Sequence, residues 1–171
     1  MVKKPRLVIL SDIWGNNRPI WVQNLVAYFQ VQYYDSRSLA EVPPHLTSEK
    51  EIHQYFIQNG IQIATKKIRL LEKGPVHLIG FSMGGVIGWK ASLTGLKTKH
   101  LYCISSTRLR LESHKPNIPI VLFYGAMDTH APNKTWFEKH HIQPRIIPNQ
   151  DHQVYLNDDF FHHLLAEIIE D

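Results

Sequence analysis

The chain has 171 residues, 43% of them hydrophobic and 20% charged, with a formal net charge of +4. One globular domain spanning 1–171 fits that length, and no apolar run approaches the roughly 20 residues that cross a bilayer. The basic residues are scattered, as Lys3-Lys4, Lys66-Lys67, Arg108 and Arg110, without the dense stripe a nucleic-acid partner needs. Neither nucleic acid nor membrane is expected as a partner.

A single cysteine, Cys103, excludes an internal disulfide and points to a reducing compartment, by default the cytoplasm. Met1 to Leu10 carries basic residues, but its apolar run, Leu7 to Leu10, is shorter than the about 7–15 residues of a signal-peptide core. Eleven histidines invite a metal reading. His-Glu-x-x-His and Cys-x-x-Cys are both missing, and the adjacent pairs His140-His141 and His162-His163 would point to different helix faces. Solvated surface is expected for both pairs, with no metal and no cofactor.

Short apolar runs alternate with longer helical patterns, the signature of a mostly parallel sheet with helices on both faces. Arg6 to Leu10 reads as a buried strand ending at Ser11-Asp12. Ile20 to Phe29 has helical spacing of Trp21, Leu25, Tyr28 and Phe29, and Val31 to Tyr34 reads as a strand. Thr47 or Ser48 can cap a helix, each with a Glu three residues on, that runs to Lys73 with a break near Asn59-Gly60. Val76 to Ile79 is a strand, followed by a helix from about Met83. His100 to Ile104 and Ile120 to Tyr124 are further strands. Thr135 to His141 is a short helix, Arg145 to Ile147 the last strand, and Asp158 to Ile169 the closing helix.

The segment richest in chemistry is Gly80-Phe81-Ser82-Met83-Gly84, set between a strand and a helix. A serine on such a sharp turn takes a strained backbone conformation, and its hydroxyl projects clear of the sheet. Residues 80 and 84 are expected to crowd each other across the turn, hence the two glycines. Ser82 also starts a helix, where free N–H groups favour a developing oxyanion, with the Met83 N–H as one donor. The alternative is a glycine-rich turn with a merely capping serine, as in nucleotide-binding folds. Gly-x-Gly-x-x-Gly and Gly-x-x-x-x-Gly-Lys are both missing.

Downstream, Ile120 to Tyr124 leads into Gly125-Ala126-Met127-Asp128, and Asp151-His152 falls between the last strand and the last helix. In the order Ser82, Asp128, His152 the chain resembles the α/β-hydrolase superfamily over nearly its whole length. The resemblance implies a triad in which His152 takes the serine proton and Asp128 fixes its tautomer and stabilises the imidazolium. Asp128 can instead be a turn or cap residue, and His152 a surface loop residue. His130 is a rival base placed very close to Asp128 in sequence, and Asp151 a rival acid that adjoins His152. Ser105 and Ser106 stand where some relatives carry their acid, which excludes that variant.

The second oxyanion donor is expected from the loop Ser11 to Asn17. Its Asp12-Ile13-Trp14-Gly15 looks more like dienelactone-hydrolase relatives than the common His-Gly. The Ile13 N–H is the favoured donor and the Trp14 N–H the weaker one, while Asp12 can simply cap the loop. Asp35-Ser36-Arg37 is expected to be structural. Only Ser105 to Pro119 stands where most relatives insert a lid, and the first two strands of larger relatives have no counterpart before Arg6. A minimal α/β-hydrolase fold without a lid domain is implied.

Small capless members include esterases, thioesterases and carrier-protein ester hydrolases, beside peroxidases and lyases, so the resemblance implies cleavage of a small ester or thioester through an acyl-enzyme. The alternative is a catalytically silent binding protein on the same scaffold, since fold alone does not set the reaction. Trp14 and Arg108 are candidate substrate-binding residues. Arg108, Arg110 and Lys115 are either solvated surface charge or an attraction for anionic substrates.

Overall fold

Six short apolar runs become strands: β1 (Arg6–Leu10), β2 (Gln30–Tyr34), β3 (Val76–Phe81), β4 (Thr98–Ile104), β5 (Ile120–Gly125) and β6 (Arg145–Ile147). The computed structural model describes residues 4–16 and 18–169; Lys3 and Asn17, named above, lie outside them. The strands pair in the order β2-β1-β3-β4-β5-β6, and every pair is parallel, so the expected mostly parallel sheet is parallel throughout.

Side chains alternate across a strand, and this sheet buries both faces. Val8, Leu10, Leu78, Leu101, Cys103 and Tyr124 pack beneath the helices α1 (Ser36–Leu39), α2 (Glu49–Tyr55), α3 (Ile61–Leu71), α4 (Met83–Leu93) and α5 (Lys134–His140). Leu7, Ile9, Ile79, Phe81, Tyr102 and Phe123 face the other way, under the segment Ile20–Ala27 and α6 (Phe160–Ile169). Helices therefore cover both faces, as expected.

Ser48, not Thr47, starts α2: its hydroxyl accepts from the Glu51 N–H while Glu51 reaches back to the Ser48 N–H. The break near Asn59-Gly60 is a π turn over Phe56–Gly60, after which α3 ends at Leu71. Asp35 caps α1 by accepting from the Arg37 and Ser38 N–H groups, the structural part expected of it.

Two local readings change. Ile20–Ala27 is a 3₁₀ rather than an α-helix. β-Branched Ile20, Val22 and Val26 beside Trp21 favour the α form little, Pro19 provides no side-chain cap, and the Trp21 indole N–H donates to the Tyr155 carbonyl at 2.8 Å. Trp21, Leu25 and Phe29 are buried by this arrangement, whereas Tyr28 is exposed. His140 is not solvated surface either. It is buried with its ring 4.3 Å from that of Trp136 and its Nε2 at 3.1 Å from the Glu112 carbonyl, while His141 turns outward. Burial holds His140 below the ordinary histidine range.

The stretch from Ser105 to Pro119 contains only a 3₁₀ turn, Thr107–Leu111. That segment therefore supplies no helical cap.

Candidate active site

Ser82 follows β3 directly and stands at the start of α4 with φ 50° and ψ −111°, a conformation L residues rarely adopt. Close backbone packing makes that turn possible. A Cβ on Gly80 would lie 2.3 Å from the Gly85 nitrogen. On Gly84 it would meet the Leu10 carbonyl oxygen at 2.3 Å and that of Ser11 at 2.5 Å. Gly80 is thus crowded across the turn as expected, but Gly84 is crowded by the end of β1 rather than by residue 80. The close approach brings the loop after β1 against the first turn of α4.

His152 lies after β6 with its side chain 40% exposed. Its Nε2 is 3.0 Å from Ser82 Oγ, and its Nδ1 is 2.8 Å from Asp128 Oδ2. Asp128, buried after β5, accepts from the His130 backbone N–H at its other oxygen, Oδ1, at 3.1 Å. His130 therefore meets Asp128 through its main chain, and its exposed ring lies against the Thr129 hydroxyl. Asp151 is exposed and accepts from the Gln153 N–H at 2.8 Å. The structure thus brings Ser82, Asp128 and His152 together and leaves the two rivals outside. Such a chain of hydrogen bonds can move the serine proton onto Nε2 while a buried carboxylate faces the charge that appears on the ring.

Met83 is the first residue of α4, so its N–H has no acceptor within the helix. In the loop after β1, the Trp14 N–H donates to Asp12 Oδ1 at 2.9 Å and is thereby occupied. No hydrogen bond among the described residues takes up the Ile13 N–H. Asp12 does cap the loop, and its second oxygen, Oδ2, accepts from the Tyr155 hydroxyl at 2.9 Å. Burial pushes the Asp12 carboxyl up against the opposing pull of the Tyr155, Trp14 and Gly15 hydrogen bonds and of His152. Burial and the Asp12 charge in turn push the Tyr155 phenol up, so it remains a donor. Tyr155 follows His152 by three positions, yet no local spacing ties it to Asp12, which lies 143 residues away.

Trp14 is half-buried against the core beside Ile13. Arg108 is half-buried and Arg110 exposed on the 3₁₀ turn after β4. Burial first, then the Arg108 and Arg110 charges, hold His53 on α2 below its ordinary range despite Glu49. One surface depression of about 190 Å³ is lined by Ile147, Val154 and His163, and an open one of about 740 Å³ by Phe137, Ile142 and Ile146. Neither is lined by Ser82, Asp128 or His152. Among the described residues no group of three His, Cys, Asp or Glu side chains is disposed to hold a metal ion, and no helix is long and apolar enough to cross a membrane.

No protein-family model and no curated protein matches the chain. Solved structures do. One, from Xanthomonas campestris pv. campestris and described as a proposed hydrolase of the α/β superfamily, shares 14% identity at a TM-score of 0.68, covering 98% of this chain and 99% of its own. The mouse α/β-hydrolase domain-containing protein 10 is 13% identical at a TM-score of 0.66, with 98% and 89% covered. An α/β serine hydrolase homologue from Coxiella burnetii is 12% identical at 0.66, with 98% and 86% covered. Shared topology over whole chains, at identities this low, establishes architecture: the chain has the α/β-hydrolase fold.

Proposed function

We propose that the protein is a serine hydrolase that cleaves small carboxylic esters or thioesters through an acyl-enzyme on Ser82. The observation that carries this reading is the continuous relay from Ser82 Oγ through His152 to Asp128, at 3.0 and 2.8 Å, on a strained turn at a helix start.

Ser82 Oγ attacks the substrate carbonyl carbon as His152 Nε2 takes its proton, and Asp128 stabilises the resulting imidazolium. The carbonyl oxygen becomes an oxyanion, which the Met83 and Ile13 N–H groups receive. Collapse of the tetrahedral species expels the alcohol or thiol with the proton from His152. A water, deprotonated by the same imidazole, then attacks the acyl-enzyme and returns Ser82. Trp14, on the loop after β1, and Arg108, on the turn after β4, are the proposed substrate-binding residues, and the positive charge of Arg108 and Arg110 favours an anionic acyl group or an acidic carrier protein. The buried Cys103, its thiol pushed up by burial, takes no part and suits a cytoplasmic setting.

The test is labelling with a fluorophosphonate, followed by peptide mass spectrometry, alongside hydrolysis of p-nitrophenyl acetate and an acetyl thioester. The expected adduct is on Ser82, and Ser82→Ala should lose roughly 10⁴–10⁶ in kcat. An adduct elsewhere, or a folded parent protein inert to both ester and probe, would overturn the reading in favour of a silent binding protein.

A further inference from the structure

Asp12 is 3% exposed, and its salt-bridge partners among the described residues are none. An apolar residue would fill that space without the desolvation penalty of a carboxylate, so the polar contacts it makes need a purpose. They are directional. Oδ1 closes an Asx turn onto the Trp14 N–H, which makes Ile13 the central residue of the turn and fixes the peptide on either side of it. Oδ2 is held by the Tyr155 hydroxyl, from the 3₁₀ turn Val154–Leu156 that follows His152.

The Tyr155 ring stacks on Phe81, the residue immediately before Ser82, with centroids 5.0 Å apart and planes 17° from parallel. Trp21 meets Phe81 edge-on at 5.8 Å and donates to the Tyr155 carbonyl at 2.8 Å. One buried assembly therefore touches the loop of the oxyanion donor, the strand of the nucleophile and the loop of the base.

We infer that the Asp12–Tyr155 hydrogen bond is a positioning strut that keeps the Ile13 N–H and His152 in register with Ser82, an inference resting on the acyl-transfer reading above. The strut touches no substrate atom. Its effect falls on the transition state, because an oxyanion donor works only within about 2.7–3.1 Å of the developing charge, and a misplacement of about 1 Å can forfeit on the order of 100-fold in rate.

Tyr155→Phe removes the hydroxyl and keeps the ring on Phe81. With p-nitrophenyl acetate, kcat should fall about 10-fold while KM stays within about twofold, and the affinity for phenylboronic acid, a tetrahedral mimic on Ser82, should weaken by the same factor as kcat. A merely structural role would lower the unfolding midpoint without that split between KM and the boronate. Asp12→Asn keeps the turn, and its amide N–H can donate to the Tyr155 oxygen, so its loss should be smaller than that of Tyr155→Phe; Asp12→Ala removes both contacts and reports on the strut even if the Tyr155 variant folds poorly. Asp12→Ala combined with Tyr155→Phe should lose no more than Asp12→Ala alone. A folded Tyr155→Phe or Asp12→Ala with parental kcat and boronate affinity would overturn the strut and leave the hydrolase reading standing. An inert parent would instead overturn the hydrolase reading, and the strut with it.

Discussion

Asp128 and Asp12 are two buried carboxylates at the ends of β5 and β1, on opposite sides of the strand that carries Ser82. Each accepts from the backbone and from one side-chain group. What differs is that side-chain group. Asp128 faces an imidazole that can take a proton, so its charge becomes useful at the moment the ring becomes cationic. Asp12 faces a phenol that keeps its proton, so its charge is spent on holding atoms in place. On the proposed mechanism the same residue type at similar burial is thus turned to electrostatics in one case and to geometry in the other by its partner.

Replacing the charge at each position sharpens that contrast. Asp128→Asn should cost on the order of 10⁴ in kcat, since the amide favours the wrong imidazole tautomer, far more than the loss expected for Asp12→Asn. Asp151→Asn, at an exposed site beside His152, should change kcat by less than about twofold, because surface polar substitutions act weakly. Steady-state kinetics on the three variants decide it. A ranking with Asp151 above Asp128 would transfer the acid role.

The segment between β4 and β5 forms no helical cap, and that sets a second, smaller effect. Each buried methylene is worth about 0.8 kcal/mol, and the segment from Ser105 to Pro119 offers few apolar walls to bury one. kcat/KM along a series of p-nitrophenyl esters should therefore plateau between acetyl and butyryl. A steady several-fold rise per methylene out to octanoyl would show a deep tunnel instead.

Glu72 extends the comparison to a carboxylate facing a permanent cation. It accepts from Arg6 Nη2 at 2.8 Å, Arg6 Nε at 3.2 Å and the Tyr34 hydroxyl at 2.6 Å, tying the end of α3 to β1 and β2. Burial alone would raise its pKa, but the Arg6 and Tyr34 hydrogen bonds outweigh burial and hold it below the ordinary glutamate range. A lowered folded-state pKa gives stability that is present above the unfolded value of about 4.3 and lost as pH falls through the folded one. Glu72→Gln should therefore lose about 1 kcal/mol at pH 7, the solvent-screened worth of a partly exposed pair. Denaturant titrations at pH 7 and below pH 4 should show that deficit shrinking with acid, with kcat at neutral pH unchanged.

How much of this was legible beforehand depends on the range of the interaction. The strands, the elbow at Gly80 to Gly84 and the residues Asp128 and His152 are written in local patterns, because period-2 burial and a strand-to-helix turn need only neighbours in the chain. Ile20–Ala27 was recognisable as helical but not as 3₁₀, since Trp21 donates its indole N–H to a carbonyl 134 residues on. His140 has ordinary spacing for a surface helix, and only the aromatic neighbours Trp89 and Trp136 explain its burial. Asp12 was readable as a loop cap because the Trp14 N–H is two residues away, whereas its bond to Tyr155 exists only once the sheet has brought both chain ends together.

The backbone at Ser82, with φ 50°, has a consequence for how such a protein can change over time. A residue held in so sparsely populated a region costs the folded state about 1–3 kcal/mol, whereas glycine adopts it freely. On the proposed mechanism, a glycine at this position would give a sturdier but inert chain, so the hydroxyl and the stability of the fold pull residue 82 in opposite directions.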